Sequence, residues 1–371
     1  MENDATKKTA PVASVGADAG QSFVHNNDII TEEMPKFNRF GRDLETISMT
    51  ELYDTAYPPK GVLVENLLFA GVYLFVGAPK IGKSFFMAQL AYHVATGTDL
   101  WSFPVHQGEV LYLALEDDFA RIQKRLYRMF GTEDTEHLHF ATQSMSLAGG
   151  LCQQLEDFLR DYTETRLVIV DTLQKVREAT GDKYNYANDY DIVAKLKAFA
   201  DKHNLCLLVV HHTRKMEAED SFEMISGTNG LLGAADGAFI MQKKKRTDKS
   251  ATLSVVGRDQ QDQELVLEFD HEHCLWRLVK TETELWKTPP DPLLDAVAQV
   301  VTPLCPVWSG RPSELLEQLP GVTLLPHQLS RHLNANTDRL FNDYGITYEN
   351  TRVYAGRTIT LTLNNGKGEA P

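Results

Sequence analysis

Residues 71–84 read Gly-Val-Tyr-Leu-Phe-Val-Gly-Ala-Pro-Lys-Ile-Gly-Lys-Ser, and no other stretch limits the fold so tightly. The apolar run Val72 to Val76 reads as a buried strand. Gly77, four further residues, then Gly82, Lys83 and Ser84 follow it. Phe85 to Leu90 opens a helical pattern that continues to about Ala95. Strand, glycine-framed loop and helix in this order are the setting of a phosphate-binding loop. Glycines let the backbone curl so that its N–H groups point inward at phosphate oxygens. The helix N-terminus adds partial positive charge. Lys83 has the length to reach β- and γ-phosphates, and the Ser84 hydroxyl can ligate Mg²⁺. The expected cradle is Gly77, Ala78, Pro79, Lys80, Ile81, Gly82, Lys83, Ser84 and Phe85.

The chain has 371 residues, long enough for one large domain and a smaller one. With 43% hydrophobic and 24% charged residues it has an ordinary globular composition. Its apolar runs are too short and interrupted to span a membrane. Lys7 and Lys8 precede no apolar core, so no secretory signal is expected. Cys152, Cys206, Cys274 and Cys305 lie far apart, which supports neither a zinc ribbon nor a disulfide framework. A cytoplasmic setting follows. A net charge of −14 argues against coating nucleic acid by bulk attraction, although local contacts are still allowed. The densest basic run is Lys243-Lys244-Lys245-Arg246.

Residues 1–35 lack any hydrophobic period and read as a disordered tail. A short helix is expected over Thr50 to Tyr57. After the phosphate loop, strands are expected at Val110 to Leu115, His137 to Thr142, Leu167 to Asp171 and Leu205 to Val210. Helical patterns at Phe119 to Phe130, Leu151 to Tyr162 and Tyr190 to His203 alternate with them. The segment 175–190 reads as a mobile loop. From Ala238 the pattern changes to strands alone, at Ala238 to Gln242, Ala251 to Val256, Glu264 to Phe269 and Cys274 to Leu278. The expectation is an α/β fold in which a mostly parallel sheet is extended by antiparallel strands. Prolines at 289, 290 and 292 mark a boundary, giving an expected core of 36–287 and a second domain of 288–371. In that second domain, helices at Leu293 to Val301, Pro312 to Leu319 and Pro326 to Phe341 precede two strands between Tyr348 and Leu363. Helices followed by a hairpin suggest a small α+β, winged-helix-like module, with a packing or assembly role as the alternative.

Nucleotide hydrolysis needs a metal ligand, a group that orients water, and charge compensation at the γ-phosphate. Asp171, at the end of Leu-Val-Ile-Val, is the expected second metal ligand beside Ser84. Glu116 ends the intervening strand and is the expected water-orienting carboxylate, with helix capping as its plain alternative. His211, in the pair His211-His212, is expected to sense the γ-phosphate. A metal role for the pair lacks further ligands at suitable spacing. His271-x-His273-Cys274 reads as a structural strand edge. Arg258 is the expected charge-compensating finger, reaching a neighbouring subunit, with Lys244 and Arg246 as runners-up. The loops 175–190 and 212–225 follow the strand ends and are candidate contacts for a single-stranded backbone.

Taken together, Gly77 to Ser84, Leu113-Ala114-Leu115-Glu116-Asp117, Val168 to Asp171, Val209 to Lys215 and Gly257-Arg258-Asp259 resemble the RepA-like branch of the RecA/DnaB-type ATPases of plasmids, phages and other mobile elements. The resemblance covers about residues 45–280. It implies a RecA-like core, ATP and Mg²⁺ as cofactors, hydrolysis at subunit interfaces of a homo-oligomeric ring, a hexamer in this family, and movement along single-stranded DNA. A recombination or repair ATPase, a helicase loader, or a nucleotide-switched DNA-binding regulator are the alternatives. The resemblance carries nothing over to 288–371.

Overall fold

The computed structural model describes residues 46–177, 186–212, 229–245, 247–285, 289–353 and 356–364. The expected tail of 1–35, Arg246, and the centres of both candidate DNA loops lie outside the described residues. Residues 46–48 carry no regular element, and α1 (Met49–Asp54) follows them. A small hairpin of β1 (Val62–Val64) and β2 (Leu68–Phe69) leads into β3 (Gly71–Gly77), whose seven residues are all buried. Then come α2 (Lys83–Thr96), β4 (Glu109–Ala114), α3 (Phe119–Phe130), β5 (Leu138–Ala141) and α4 (Leu151–Asp161). Next are β6 (Thr165–Asp171), α5 (Leu173–Val176), α6 (Tyr186–His203), β7 (Cys206–His212) and α7 (Asn229–Ala234). Four strands close the core, β8 (Gly237–Gln242), β9 (Ser250–Gly257), β10 (Gln263–Asp270) and β11 (Leu275–Thr281).

Among the described residues, β3 to β11 form one nine-stranded sheet in the order β11-β10-β9-β8-β3-β7-β6-β4-β5. The pairings from β8 through β3 to β5 are parallel, and β8 to β11 pair antiparallel. Strand side chains alternate between faces, so β3 feeds two cores at once. Tyr73 and Phe75 pack with α2 on one face, while Val72, Leu74 and Val76 pack with α4 and α6 on the other. Coverage of both faces is why β3 reads as a continuous apolar run rather than an alternating one.

A third hydrophobic cluster belongs to α8 (Pro292–Ala298), β12 (Val307–Gly310), α9 (Pro312–Glu317), α10 (Pro326–Ala335), α11 (Thr337–Tyr344), β13 (Ile346–Val353) and β14 (Gly356–Leu363). The strands form a separate sheet, β12-β14-β13. The helix expected over Pro326 to Phe341 is two helices, since Asn336 leaves helical geometry at φ −125° and ψ 31°. Strand β12 was not expected. It is four residues long and none of its residues is buried, so it leaves no apolar run to read. Helix α1 packs on this module. Asp54 accepts from Arg331 Nε at 2.9 Å and pairs with Arg357 Nη2 at 2.6 Å. Asn334 Nδ2 donates to the Tyr53 carbonyl and Thr337 Oγ1 to that of Tyr57.

Two sequence expectations change at loop ends. Lys175 lies in α5 rather than in a loop, because Leu173 and Val176 are buried against the sheet core. The following helix starts at Tyr186 rather than Tyr190. His212, expected to open the second loop, is the last residue of β7.

Candidate nucleotide site

The loop between β3 and α2 crosses the end of the parallel sheet. Gly82 has φ 109° and Lys80 φ 64°, both left-handed, which glycine tolerates without strain and lysine does not. A Cβ on Gly77 would lie 2.9 Å from the Met241 carbonyl of neighbouring β8, so that position accepts no side chain without a shift. Lys83, 5% exposed, folds back over the loop. Its ammonium donates to the carbonyls of Gly77 at 2.7 Å and Ala78 at 3.0 Å, and to His212 Nδ1 at 2.9 Å.

Register explains the histidine. Gly77 pairs with His212 and Val76 with His211, so His212 stands beside the start of the loop. Of the two histidines it is His212 whose ring reaches Lys83. Burial, and then the Lys83 charge, hold the His212 pKa below its ordinary value. A neutral ring accepts from the ammonium at Nδ1. The parallel register of β3 and β7, which the sequence does not spell out, fixes which of two adjacent side chains faces the loop.

Ser84 Oγ donates to Asp171 Oδ2 at 2.9 Å, and Tyr112 OH donates to the same oxygen at 2.9 Å. Asp171 is 6% exposed. Burial raises its pKa against these two hydrogen bonds, and the nearby Glu116 charge adds to the rise. Burial likewise lowers Lys83 to about 8, with Asp171 and Glu116 opposing. Tyr112 was absent from the sequence expectations. Its signal was a hydroxyl inside an otherwise apolar strand, which needs a partner once buried.

Glu116 lies two positions beyond Ala114, which pairs with Asp171 across β4 and β6. In the sheet β4 lies on the far side of β6 from the loop strand, so Glu116 approaches from beyond Asp171. Thr172 Oγ1 donates to Glu116 Oε1 at 3.1 Å. Capping falls to its neighbours. Asp118 accepts from Arg121 N at 2.9 Å as the N-cap of α3, and Asp117 pairs with Arg121 and Arg125. Glu116 itself is solvent-exposed, with access for water.

Arg258 stands elsewhere. Gly257 pairs with Gly237, which sits level with Tyr73, whereas the loop leaves from Gly77, level with Met241. Four residues of strand, about 13 Å, separate the two levels. Its Nη2 donates to the Gly233 carbonyl at 2.6 Å. Lys244 follows the end of β8 and lies on the loop's own edge of the sheet. His273 pairs with Asp270 at 3.1 Å, in a turn between strands.

The donor set suits a hard cation. Ser84 and Asp171 present oxygens to one point, and among the described residues no group of three His, Cys, Asp or Glu side chains could hold a metal alone. Mg²⁺ uses one or two protein oxygens and completes its shell with phosphate and water. No helix among the described residues is long and apolar enough to cross a membrane.

No curated protein matches the chain. A solved ATPase domain is 13% identical, with a TM-score of 0.48, and the alignment covers 57% of this chain and 85% of that one. A solved DnaB-like replicative helicase, described with its interactions with primase, is 14% identical with a TM-score of 0.48. That alignment covers 56% of this chain and 58% of the helicase chain. Residues 42–218 match the AAA domain family, and this span holds the phosphate loop, Tyr112, Glu116, Asp171, His211 and His212.

Proposed function

We propose that this chain is a Mg²⁺-dependent, ATP-hydrolysing RecA-like motor that acts on single-stranded DNA in the cytoplasm, as a replicative helicase of a plasmid, phage or other mobile element. The observation that carries the reading is the meeting of Ser84 and Asp171 at 2.9 Å with Glu116 on the next strand outward. On this reading the Ser84–Asp171 pair is the metal point, and the loop lysine and the exposed Glu116 carboxylate lie with it along one edge of the sheet. The AAA domain match over 42–218 supports the same reading.

Each residue then has a part. The loop N–H groups and Lys83 bind the phosphates, Lys83 exchanging its carbonyl partners for phosphate oxygens. Ser84 and Asp171 would hold Mg²⁺, which supplies charge neutralisation at the β- and γ-phosphates. Glu116, steadied by Thr172, orients the attacking water. His212, released when Lys83 turns to the phosphates, conveys occupancy to the segment that follows β7, and His211 remains a second candidate for that role. Arg258 lies too far from its own loop to serve it, so the reading assigns it to a neighbouring subunit's site in a ring. Residues 36–287 form the engine and 288–371 a winged-helix-like module.

The test is turnover and particle size. ATP hydrolysis should rise with single-stranded DNA, and particle mass should grow with ATP. A monomer whose turnover ignores DNA would sink the motor reading. Arg258→Ala should keep nucleotide binding and lose turnover, and mixing it with Glu116→Gln should restore part of the activity. Unrestored activity in the mixture counts against a finger acting in trans.

A further inference from the structure

Strand β11 is the outermost strand on its side of the sheet, four places from β3. Curling of the antiparallel extension nevertheless brings Trp276 over the start of α2. Trp276 is 1% exposed. Its indole Nε1–H donates to the Gly82 carbonyl at 3.2 Å, and the same carbonyl accepts from Phe86 N at 3.2 Å. A Cβ on Gly82 would come within 2.9 Å of Trp276 Cζ2, so ring and glycine are in direct contact.

The tryptophan is itself fixed. Gln89 of α2 clamps its backbone from both sides, accepting from Trp276 N at 2.8 Å and donating to Trp276 O at 2.9 Å. Trp101 Nε1 donates to the same carbonyl at 2.7 Å. The Phe269 ring lies 4.9 Å away, and Lys243 Nζ sits 5.2 Å over the indole.

Carbonyl and N–H of one trans peptide point in opposite directions. Holding the Gly82 carbonyl toward the indole therefore aims the Lys83 N–H the other way. That N–H is among those a phosphate loop turns toward its ligand. The first helical bond, from Phe86 N, holds this carbonyl from within α2, and at a Gly82 φ of 109°, with no Cβ to limit the turn, the indole N–H adds a second donor from outside the helix. We infer that Trp276 is a positioning residue for the phosphate loop, fixing the Gly82–Lys83 peptide in its phosphate-receiving orientation. The inference rests on the reading of residues 77–85 as a nucleotide loop.

The test uses the full chain and ADP with Mg²⁺. Trp276→Phe keeps an aromatic plate and the Gln89 clamp but loses the indole N–H. Its Kd for ADP should rise roughly three- to tenfold, and KM for ATP should rise in step while kcat changes less. In the unaltered chain ADP should change tryptophan emission. The change should persist in Trp308→Phe and vanish in Trp276→Phe. Equal ADP affinity in the unaltered and Trp276→Phe chains overturns the inference. So does a loss of thermal stability with no selective change in Kd or KM. If Trp276→Phe does not fold, the emission titrations of the unaltered chain and Trp308→Phe decide, and an emission blind to bound ADP overturns it. Failure of the unaltered chain to bind ADP at all overturns the nucleotide reading instead.

Discussion

The two ends of the central strand β3 both gather buried charge, and they treat it in opposite ways. At the Gly71 end, Asp236 accepts from Val72 N at 2.9 Å and from Lys197 Nζ at 2.5 Å, and a Cβ on Gly71 would fall 2.6 Å from its carboxylate. Despite its burial, the hydrogen bonds from Lys197 and Val72 bring Asp236 below the ordinary carboxylate range. The same partner raises Lys197 against its own desolvation. At the Gly77 end, burial wins in both cases, with Lys83 brought down to about 8 and Asp171 pushed up. One end satisfies its charges internally and acts as a rivet. The other leaves them under-compensated, which is the condition of a site that expects a charged ligand.

The sharpest break between the ends is chemical. Glu116→Gln should leave nucleotide binding intact and lower turnover by roughly 10²- to 10⁴-fold, read as phosphate release beside ADP affinity. Normal turnover in that variant removes Glu116 from the chemistry. At the other end Asp236→Ala should destabilise the fold by about 3 kcal/mol in urea denaturation, because Lys197 and Val72 N lose a shared partner. Asp236→Asn, which can still accept from Val72 N, should lose less. Equal stability in all three chains would mean the rivet does not hold.

The same contrast explains what could be read from the sequence. The loop, the strand-ending Asp171, Glu116 just past its strand, and the change from alternating helices and strands to strands alone all leave local signals, since each depends on neighbours along the chain. His212 in place of His211 at the lysine depends on the register between β3 and β7, which a one-residue shift would reverse. Tyr112 and Trp276 come from strands that meet the loop only through the curl and order of the sheet. The attachment of α1 to Arg331 and Arg357 crosses nearly the whole chain and has no local signature at all.

Tyr112 separates geometry from charge at the Gly77 end. Its hydroxyl and that of Ser84 donate to one oxygen of Asp171. Tyr112→Phe removes one donor and leaves the carboxylate less firmly oriented. The Mg²⁺ concentration for half-maximal turnover should rise about tenfold, in line with removal of a group that orients a metal ligand. ADP binding without Mg²⁺ should stay unchanged. A fall in Mg²⁺-free binding of the same size would place Tyr112 in general packing.

The smallest expected effect tests the under-compensation directly. Lys83 titrates near 8 without nucleotide because burial disfavours its charge. Phosphate oxygens favour the ammonium form, so bound nucleotide raises that pKa. The bound state then holds more protons than the free state at pH values around and above 8, and binding takes up protons there. At pH 8 the free lysine is half protonated, so uptake should approach about half a proton per ADP. At pH 6 the lysine is already charged in both states, and its share of uptake should vanish. Affinity should accordingly weaken as pH rises through 8. Calorimetry in buffers of different ionisation enthalpy measures the proton count. The Asp236 end gives the control, since Lys197 is raised rather than lowered and titrates above this window. Uptake that is equal at pH 6 and pH 8 would mean that Lys83 does not carry the titration.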